Sequence, residues 1–191
     1  MRNVAKLLLL LIGLAGMSVA QTSKVELGLN YNWVYSNRPP GGDTTFSMNG
    51  GSAALALNVS PRWAVVGDVG AVHASDVPVA RQDLTVTSYV VGPRFYYRRR
   101  SGSVERKLFV PVPYGQLLVG GAHASGPLSG TSGGSSNSFA MKVGGGIELP
   151  VSRRVILRPA HTEYFLTLFP NGRNDRQNNF LFGAGVVLRL R

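Results

Sequence analysis

Three histidines, His73, His123 and His161, are the residues best suited to chemistry in a chain of 191 residues that contains no cysteine. His73 and His123 stand in a repeated His-Ala-Ser, at 73 to 75 and 123 to 125. In an extended chain every second side chain shares a face, so each imidazole lies on the same side as the serine two residues on. A base beside a hydroxyl is the arrangement that activates a nucleophile for acyl transfer. Two similar strand ends would produce the same duplication with no chemistry. No acidic residue follows His123 before Glu148, so an orienting carboxylate would have to come from another strand. The spacing of the three histidines supports no metal set. Without cysteine there are no thiolate metal sites, disulfides, Cys nucleophiles or Cys-anchored lipids. The Gly-rich stretches 126 to 138 and 144 to 146 lack the Lys-Ser/Thr of a phosphate loop and read as flexible loop and lumen-facing strand. No cofactor is expected.

A second group of candidates is ionisable but not catalytic. Glu26, Asp68, Arg94, Lys142, Glu148, Arg158 and Glu163 fall inside segments with strand periodicity. They include both signs, and charges removed from water persist only when paired and hydrogen-bonded. The expectation is a structural network inside the fold. In it Arg94 bridges Glu26 and Asp68, while Lys142, Glu148, Arg158 and Glu163 form a second group.

The elements that must carry these residues alternate with period two. Val25, Leu27, Leu29, Tyr31, Trp33 and Tyr35 oppose Glu26, Gly28, Asn30, Asn32, Val34 and Ser36. Phe139 to Leu149 and Phe180 to Leu190 alternate in the same way. Between them lie five further strand-length segments, Thr45 to Asn58, Arg62 to His73, Leu84 to Arg98, Lys107 to His123 and Arg154 to Phe169, each bounded by turn residues. The sum is eight strands. Bulges that swap faces are expected at Asn49-Gly50-Gly51 and near Pro159. Pro93, Pro111, Pro113 and Pro159 each remove a ladder donor and must sit at bulges or strand ends.

Ahead of the strands, Arg2 and Lys6 precede a short apolar run from Leu7 to Leu14, and Ser18-Val19-Ala20 supplies the small residues of a cleavage site. Residues 1 to 20 are expected to be a signal peptide cleaved after Ala20, and 21 to 191 the folded domain. The apolar run falls short of the roughly 20 residues a spanning helix needs, and later apolar runs are broken by charge, Gly or Pro. A membrane-embedded form of this chain must therefore be a closed barrel.

Charge decides which face looks outward. Only 15% of residues are charged, against roughly 25% in soluble proteins. The predicted strand bodies hold seven charges, too few for a wall in water. The apolar face is thus expected to meet lipid, and the Gly, Ala, Ser and Asn face to fill a narrow lumen with no open pore. Tyr31, Trp33 and Tyr35 at one end, with Trp63, Phe95, Tyr97 and Phe109 at the other, would form two interfacial girdles. Connections alternate short and long, so the segments 37 to 44, 74 to 83, 124 to 137 and 170 to 178 share one end as polar loops. Their charges cancel. The opposite end gathers Arg98, Arg99, Arg100, Arg106, Lys107, Arg153 and Arg154 with Lys24, Arg62, Arg189 and Arg191, against Glu105 alone. Such a rim would meet anionic headgroups. The net charge of +11 suggests nucleic acid as a partner, but the leader peptide argues against it.

With eight strands, four long loops and a leader in place, residues 21 to 191 resemble the small outer-membrane barrels of the OmpA and OmpX type. Asn58-Val59-Ser60-Pro61-Arg62-Trp63, Gly92-Pro93-Arg94-Phe95, and Phe139 to Gly146 followed by Pro150-Val151 carry the likeness. Gly185-Val186-Val187-Leu188-Arg189-Leu190 resembles the signal read by the barrel-insertion machinery, although the chain ends on Arg191 rather than an aromatic residue. The resemblance implies an all-β, eight-stranded antiparallel up-and-down transmembrane barrel in the bacterial outer membrane. It would be a monomer surrounded by outer-membrane lipids, with a structural or surface-interaction role through extracellular partners of its loops. Two other readings remain open here. The His-x-Ser spacing resembles that of outer-membrane lipid A deacylases, with His123 and Ser125 as the pair, and a soluble periplasmic lipid-binding barrel shares the strand pattern.

Overall fold

A computed structural model describes residues 25–36, 45–77, 82–97, 108–126, 135–169 and 176–190. Eight strands follow one another in chain order: β1 (Val25–Ser36), β2 (Phe46–Asn58), β3 (Trp63–Val77), β4 (Gln82–Tyr96), β5 (Val112–Ser125), β6 (Ser135–Pro150), β7 (Val155–Thr167) and β8 (Gln177–Leu190). Each pairs antiparallel with its neighbour, and β8 closes on β1, giving a barrel with no free edge. Closure matters because an open ladder leaves polar backbone groups that hydrocarbon cannot satisfy.

The apolar face looks outward. Along β1 burial alternates so that Glu26, Gly28, Asn30, Asn32, Val34 and Ser36 point in, while Leu29, Tyr31, Trp33 and Tyr35 are exposed. Val65, Val69, Tyr89, Val91, Leu117, Val119, Val143, Phe182 and Leu188 continue the exposed band around the wall. A soluble barrel would bury these residues, so the inside-out pattern fits a lipid solvent.

Two turns at the end of the chain termini are built alike. In the β2–β3 turn the Ser60 hydroxyl accepts hydrogen bonds from the Arg62 and Trp63 backbone N–H. In the β6–β7 turn Ser152 does the same for Arg154 and Val155. Val59-Ser60-Pro61-Arg62 and Val151-Ser152-Arg153-Arg154 are thus one turn used twice, in which the serine side chain accepts alongside the backbone carbonyls of Trp63 and Val155.

Several expected boundaries move. The ladder between β1 and β2 runs without a break through Asn49-Gly50-Gly51, and inward positions stay in phase. No bulge forms there: Gly50 faces in with its Cα close to the Ala71 carbonyl, Gly51 faces out, and the pairing continues in phase. The bulge near Pro159 is present: register shifts between Arg158 and His161, Pro159 and Ala160 both face outward, and the inward set passes from even to odd numbers. A further shift lies between Ala74 and Val77. The expected alternation of short and long connections does not hold. β3 extends to Val77, leaving only 78–81 before β4, while the segment between β4 and β5 spans residues 97–111 and is the longest. Pro111, which cannot donate to a ladder, directly precedes the start of β5, while Pro113 is its second residue and stays in register opposite Ile147. Ser135 to Ser138 belong to β6 rather than to a loop.

Inside, the barrel is layered. Val34, Met48, Val72, Val86, Leu118 and Phe165 pack together in the half nearer the β1–β2 and β7–β8 connections. The charged residues occupy the middle and the half nearer the termini. Two inward glycines admit the backbone of the neighbouring strand: a Cβ at Gly92 would lie 2.0 Å from Leu117 O, and one at Gly144 2.1 Å from Thr162 O.

Candidate functional site

All seven ionisable residues singled out from the sequence are buried, and each faces the lumen because each sits on the inward parity of its strand. Their pairing differs from the sequence expectation. Arg94 does not bridge Glu26 and Asp68. Its Nη1 lies 3.6 Å from Glu148 Oε1, and its Nε donates to Gln116 Oε1 at 2.7 Å. Arg158 Nη2 donates to the same Glu148 oxygen at 2.9 Å, and its Nη1 to Asn30 Oδ1 at 2.9 Å. One carboxylate thus serves two guanidiniums. Asp68 pairs with Lys142, whose Nζ donates at 2.7 Å. Glu163 accepts a short hydrogen bond from the Gln116 amide. Glu26 faces Arg189 Nε at 3.6 Å.

The regrouping has a geometric cause. Arg94 is on β4 and Asp68 on β3, but Asp68 lies opposite Val90, four residues along β4 from Arg94, whereas the Arg94 side chain reaches toward β5 and β6. There it lies over Tyr114, whose ring both guanidiniums approach, at 4.6 Å from Arg94 Cζ and 5.0 Å from Arg158 Cζ. Cations held over an aromatic face gain most where water is excluded. Sequence reasoning missed Tyr114, Gln116 and Asn30 because neutral polar residues carry no charge signal. It placed Arg189 on the rim, where its Nη1 donates to Arg153 O of the β6–β7 turn, but did not connect it to Glu26. Arg189 shares the inward parity of Leu181 and Val187 on β8, and that parity is legible in the sequence.

Asn32 Oδ1, Arg158 Nε and His161 Nδ1 meet no protein partner among the described residues. They border a cavity of about 10 Å³, roughly the room one water needs. A substrate or ligand of any size has no space there.

The His-Ala-Ser segments face outward near the end of the longer polar connections. His123 Nδ1 lies 3.0 Å from Asn137 Oδ1, and the pair expected from the sequence, His123 with Ser125, is not joined. At the other copy His73 Nε2 lies 3.3 Å from Ser75 Oγ, and Nδ1 lies 3.0 Å from Thr85 Oγ1. The group behind the imidazole is a hydroxyl. It carries no negative charge with which to stabilise an imidazolium, the task a carboxylate performs in hydrolytic triads. Among the described residues no group of three or more His, Asp or Glu could hold a metal ion.

At the opposite end Arg153 and Arg154 are exposed, while Arg98, Arg99, Arg100, Arg106 and Lys107 lie outside the described residues, as does Ala20. Trp63 and Tyr97 are exposed there, and the Trp63 and Phe95 rings meet edge to face at 5.0 Å. Phe109 is exposed with φ of 60° and is held by its N–H donating to Pro150 O.

A closed eight-stranded barrel with an apolar outer wall and a filled, charge-paired interior defines a transmembrane barrel of the outer-membrane class. The chain belongs to the outer membrane protein beta-barrel domain family, whose model matches residues 7–187. Solved structures with a similar fold include neisserial surface protein A, at 15% identity and a TM-score of 0.60, covering 87% of this chain and 97% of that one. Another is Ail, the attachment invasion locus protein of Yersinia pestis, at 15% identity and a TM-score of 0.53, again covering 87% and 97%. A structure of Ail in complex with the heparin analogue sucrose octasulfate aligns with a TM-score of 0.52 at 14% identity over 87% of this chain and 99% of that one. No curated protein matches the sequence. The protein is a bacterial outer-membrane barrel.

Proposed function

We propose that this protein is a non-conducting, non-enzymatic outer-membrane barrel whose polar connections meet partners outside the cell. The observation that carries the reading is the filled lumen. An apolar layer around Met48 and Phe165 lies above a layer of paired charges, and the cavity between those charges has room for about one water. A barrel of eight strands has no width to spare for a channel once side chains fill it. In this reading residues 1–20 are a leader removed after Ala20, the chain is a monomer, and the termini with the basic rim from Arg98 to Lys107 face the periplasm and its anionic headgroups. The segments 37–44, 127–134 and 170–175 face outside. The heparin analogue bound to Ail supports surface recognition as a use of this fold, while the balanced charges of the loops here favour a partner that is not a simple polyanion.

The test combines two measurements on the purified, refolded chain. In planar bilayers it should give no discrete conductance steps, and binding of labelled cells to intact barrel should be lost when 127–134 is replaced by a short Gly-Ser linker. Regular single-channel openings would overturn the sealed-lumen reading, and unaltered cell binding would remove that loop from the interaction.

A further inference from the structure

The bulge at Pro159 and Ala160 changes what the lumen holds. In unbroken alternation Arg158 and His161 would face opposite sides of the wall. With both bulge residues outward, Arg158 and His161 face in together. Each then lies in a row that crosses β8 through a glycine. In one row Arg158 pairs with Gly185, and Gly185 with Asn30 on β1. In the next His161 pairs with Gly183, and Gly183 with Asn32 on β1. A side chain at either glycine would collide with the row: a Cβ at Gly185 would lie 2.5 Å from Asn30 Oδ1, and one at Gly183 2.8 Å from Asn32 Oδ1 and closer still to His161 Cε1. Gly146, opposite His161 on β6, completes the seat of the imidazole, since a Cβ there would lie 2.8 Å from His161 Cβ. The two rows end differently. The Arg158 guanidinium is long enough to cross Gly185, and its Nη1 donates to Asn30 Oδ1 at 2.9 Å. The imidazole is shorter. His161 Nδ1 and Asn32 Oδ1, on either side of Gly183, form no hydrogen bond among the described residues, and neither does Arg158 Nε in the neighbouring row.

His161, Asn32 and Arg158 are at most 7% exposed, so bulk solvent does not satisfy these three atoms, and all three residues border the cavity of about 10 Å³. Polar atoms left unpaired at that depth are costly. We infer that the cavity binds one water molecule as a structural ligand, which donates to Asn32 Oδ1 and His161 Nδ1 and accepts from Arg158 Nε. The chemistry of the three atoms selects that ligand. Asn32 Oδ1 can only accept and Arg158 Nε can only donate, so the molecule between them must do both. A halide accepts only, and an ammonium or metal ion cannot accept the guanidinium N–H. Charge points the same way. Arg94, Lys142 and Arg158 are balanced by Asp68, Glu148 and Glu163, and Arg189 by Glu26, so an added ion would be uncompensated in a closed interior. A buried water with three polar partners fits both the volume and the donor set. It ties β1 to β7, strands that share no ladder, and holds His161 as the neutral tautomer with its proton on Nε2. The inference rests on the sealed lumen proposed above and not on which end of the barrel faces outside.

The test is nuclear magnetic resonance of the refolded barrel in deuterated detergent micelles. Magnetisation from water should reach the His161 Hε1 proton, and Nδ1 should resonate as an unprotonated, hydrogen-bonded nitrogen. Asn32→Gln extends the amide by one methylene into the place of the water, so it should abolish the transfer while the urea unfolding midpoint stays near that of the wild type. Asn32→Leu should abolish the transfer and lower the midpoint, because it excludes the water and offers Arg158 Nε and His161 Nδ1 nothing in return. No transfer in the wild type would overturn the inference. So would transfer that persists in Asn32→Gln, which would be relayed from the Arg158 N–H, or an Nδ1 resonance that moves when chloride is exchanged for bromide, which would assign the site to a halide. Transfer that also reaches the methyl groups of Val34 and Leu118 in the apolar layer would mean a flooded lumen and overturn this inference together with the sealed-lumen reading. A silent His161 overturns this inference alone.

Discussion

Replacing Glu148 by Gln removes the one carboxylate shared by two buried guanidiniums and changes almost nothing else in size. Arg94 and Glu148 side chains are each 2% exposed, as is Arg158, so solvent cannot take over the lost charge. Removing one partner of a buried ion pair costs about 3 to 5 kcal/mol, because the other is left uncompensated. Arg158 loses its 2.9 Å contact but keeps Asn30; Arg94 loses the looser 3.6 Å contact but keeps Gln116. The new amide oxygen still accepts one hydrogen bond. The expected cost is therefore at the lower end, about 3 kcal/mol, or roughly a hundredfold in the folding equilibrium. Arg158→Met alone should cost a similar amount by stranding Glu148. Combining the two should cost clearly less than their sum, with a coupling of about 2 kcal/mol, since Arg94 would remain as the only partner to disturb. Urea unfolding in lipid vesicles, followed by Trp33 and Trp63 fluorescence, reads all four corners of the cycle. A Glu148→Gln barrel within about 0.5 kcal/mol of wild type, or strictly additive substitutions, would refute the reasoning that paired charge stabilises this lumen.

Four further outcomes follow from other parts of the structure. Arg94→Ala should lower the temperature at which the folded, fast-migrating band disappears on electrophoresis, because it empties the space between Gln116, Glu148 and Tyr114; an unchanged transition would take Arg94 out of the argument. Val69→Arg, at a 58% exposed wall position, should destabilise the barrel by about 2 to 4 kcal/mol in bilayers, and a neutral effect in vesicles would contradict the lipid-facing wall. Gly144→Ala should cost about 1 to 3 kcal/mol, since its Cβ would sit 2.1 Å from Thr162 O, whereas Gly67→Ala meets nothing within 4 Å and should be tolerated; equal unfolding midpoints for the two would refute the packing argument. N-terminal sequencing of protein from the outer-membrane fraction should begin at Gln21, and an intact Met1 would remove the leader.

The fold was legible wherever one physical variable dominated. Period-two alternation with apolar residues on one face and few charges on the other determines strand number, closure and the outward wall, because lipid leaves no other use for that pattern. Boundaries were less legible at glycine and proline. Asn49-Gly50-Gly51 looks like a break in phase, yet both glycines keep the ladder's hydrogen-bonded register, Gly50 close against the β3 backbone and Gly51 on the outer wall. Pro159 is a true bulge, whereas Pro93, which lacks the same donor, stays in register within β4. The expected set of long loops failed at 78–81, where β3 and β4 pair past Ser75 although the sequence there is rich in loop-forming residues. The charged residues of the site could be named from strand parity alone. Their partners could not, because a long side chain crosses the lumen and its partner is chosen by height and tilt across several strands.

That difference has a general physical basis in a barrel this narrow. Adjacent strands offer a cation neighbours at fixed spacing, but the interior offers it every strand at once. Arg94 reaches Gln116 on the next strand and Glu148 one strand beyond, while Lys142 on β6 reaches back to Asp68 on β3. Contacts of this span exist only after closure, so they reward the closed barrel over any open sheet with the same ladder. Gly28 serves the same end, since a Cβ there would lie 3.5 Å from Arg158 Nη1, while Gly92 and Gly144 let neighbouring strands approach closely. Filling the lumen with a few long, paired charges between glycines therefore couples sealing to closure, and a barrel sealed in this way leaves recognition to its outer surfaces.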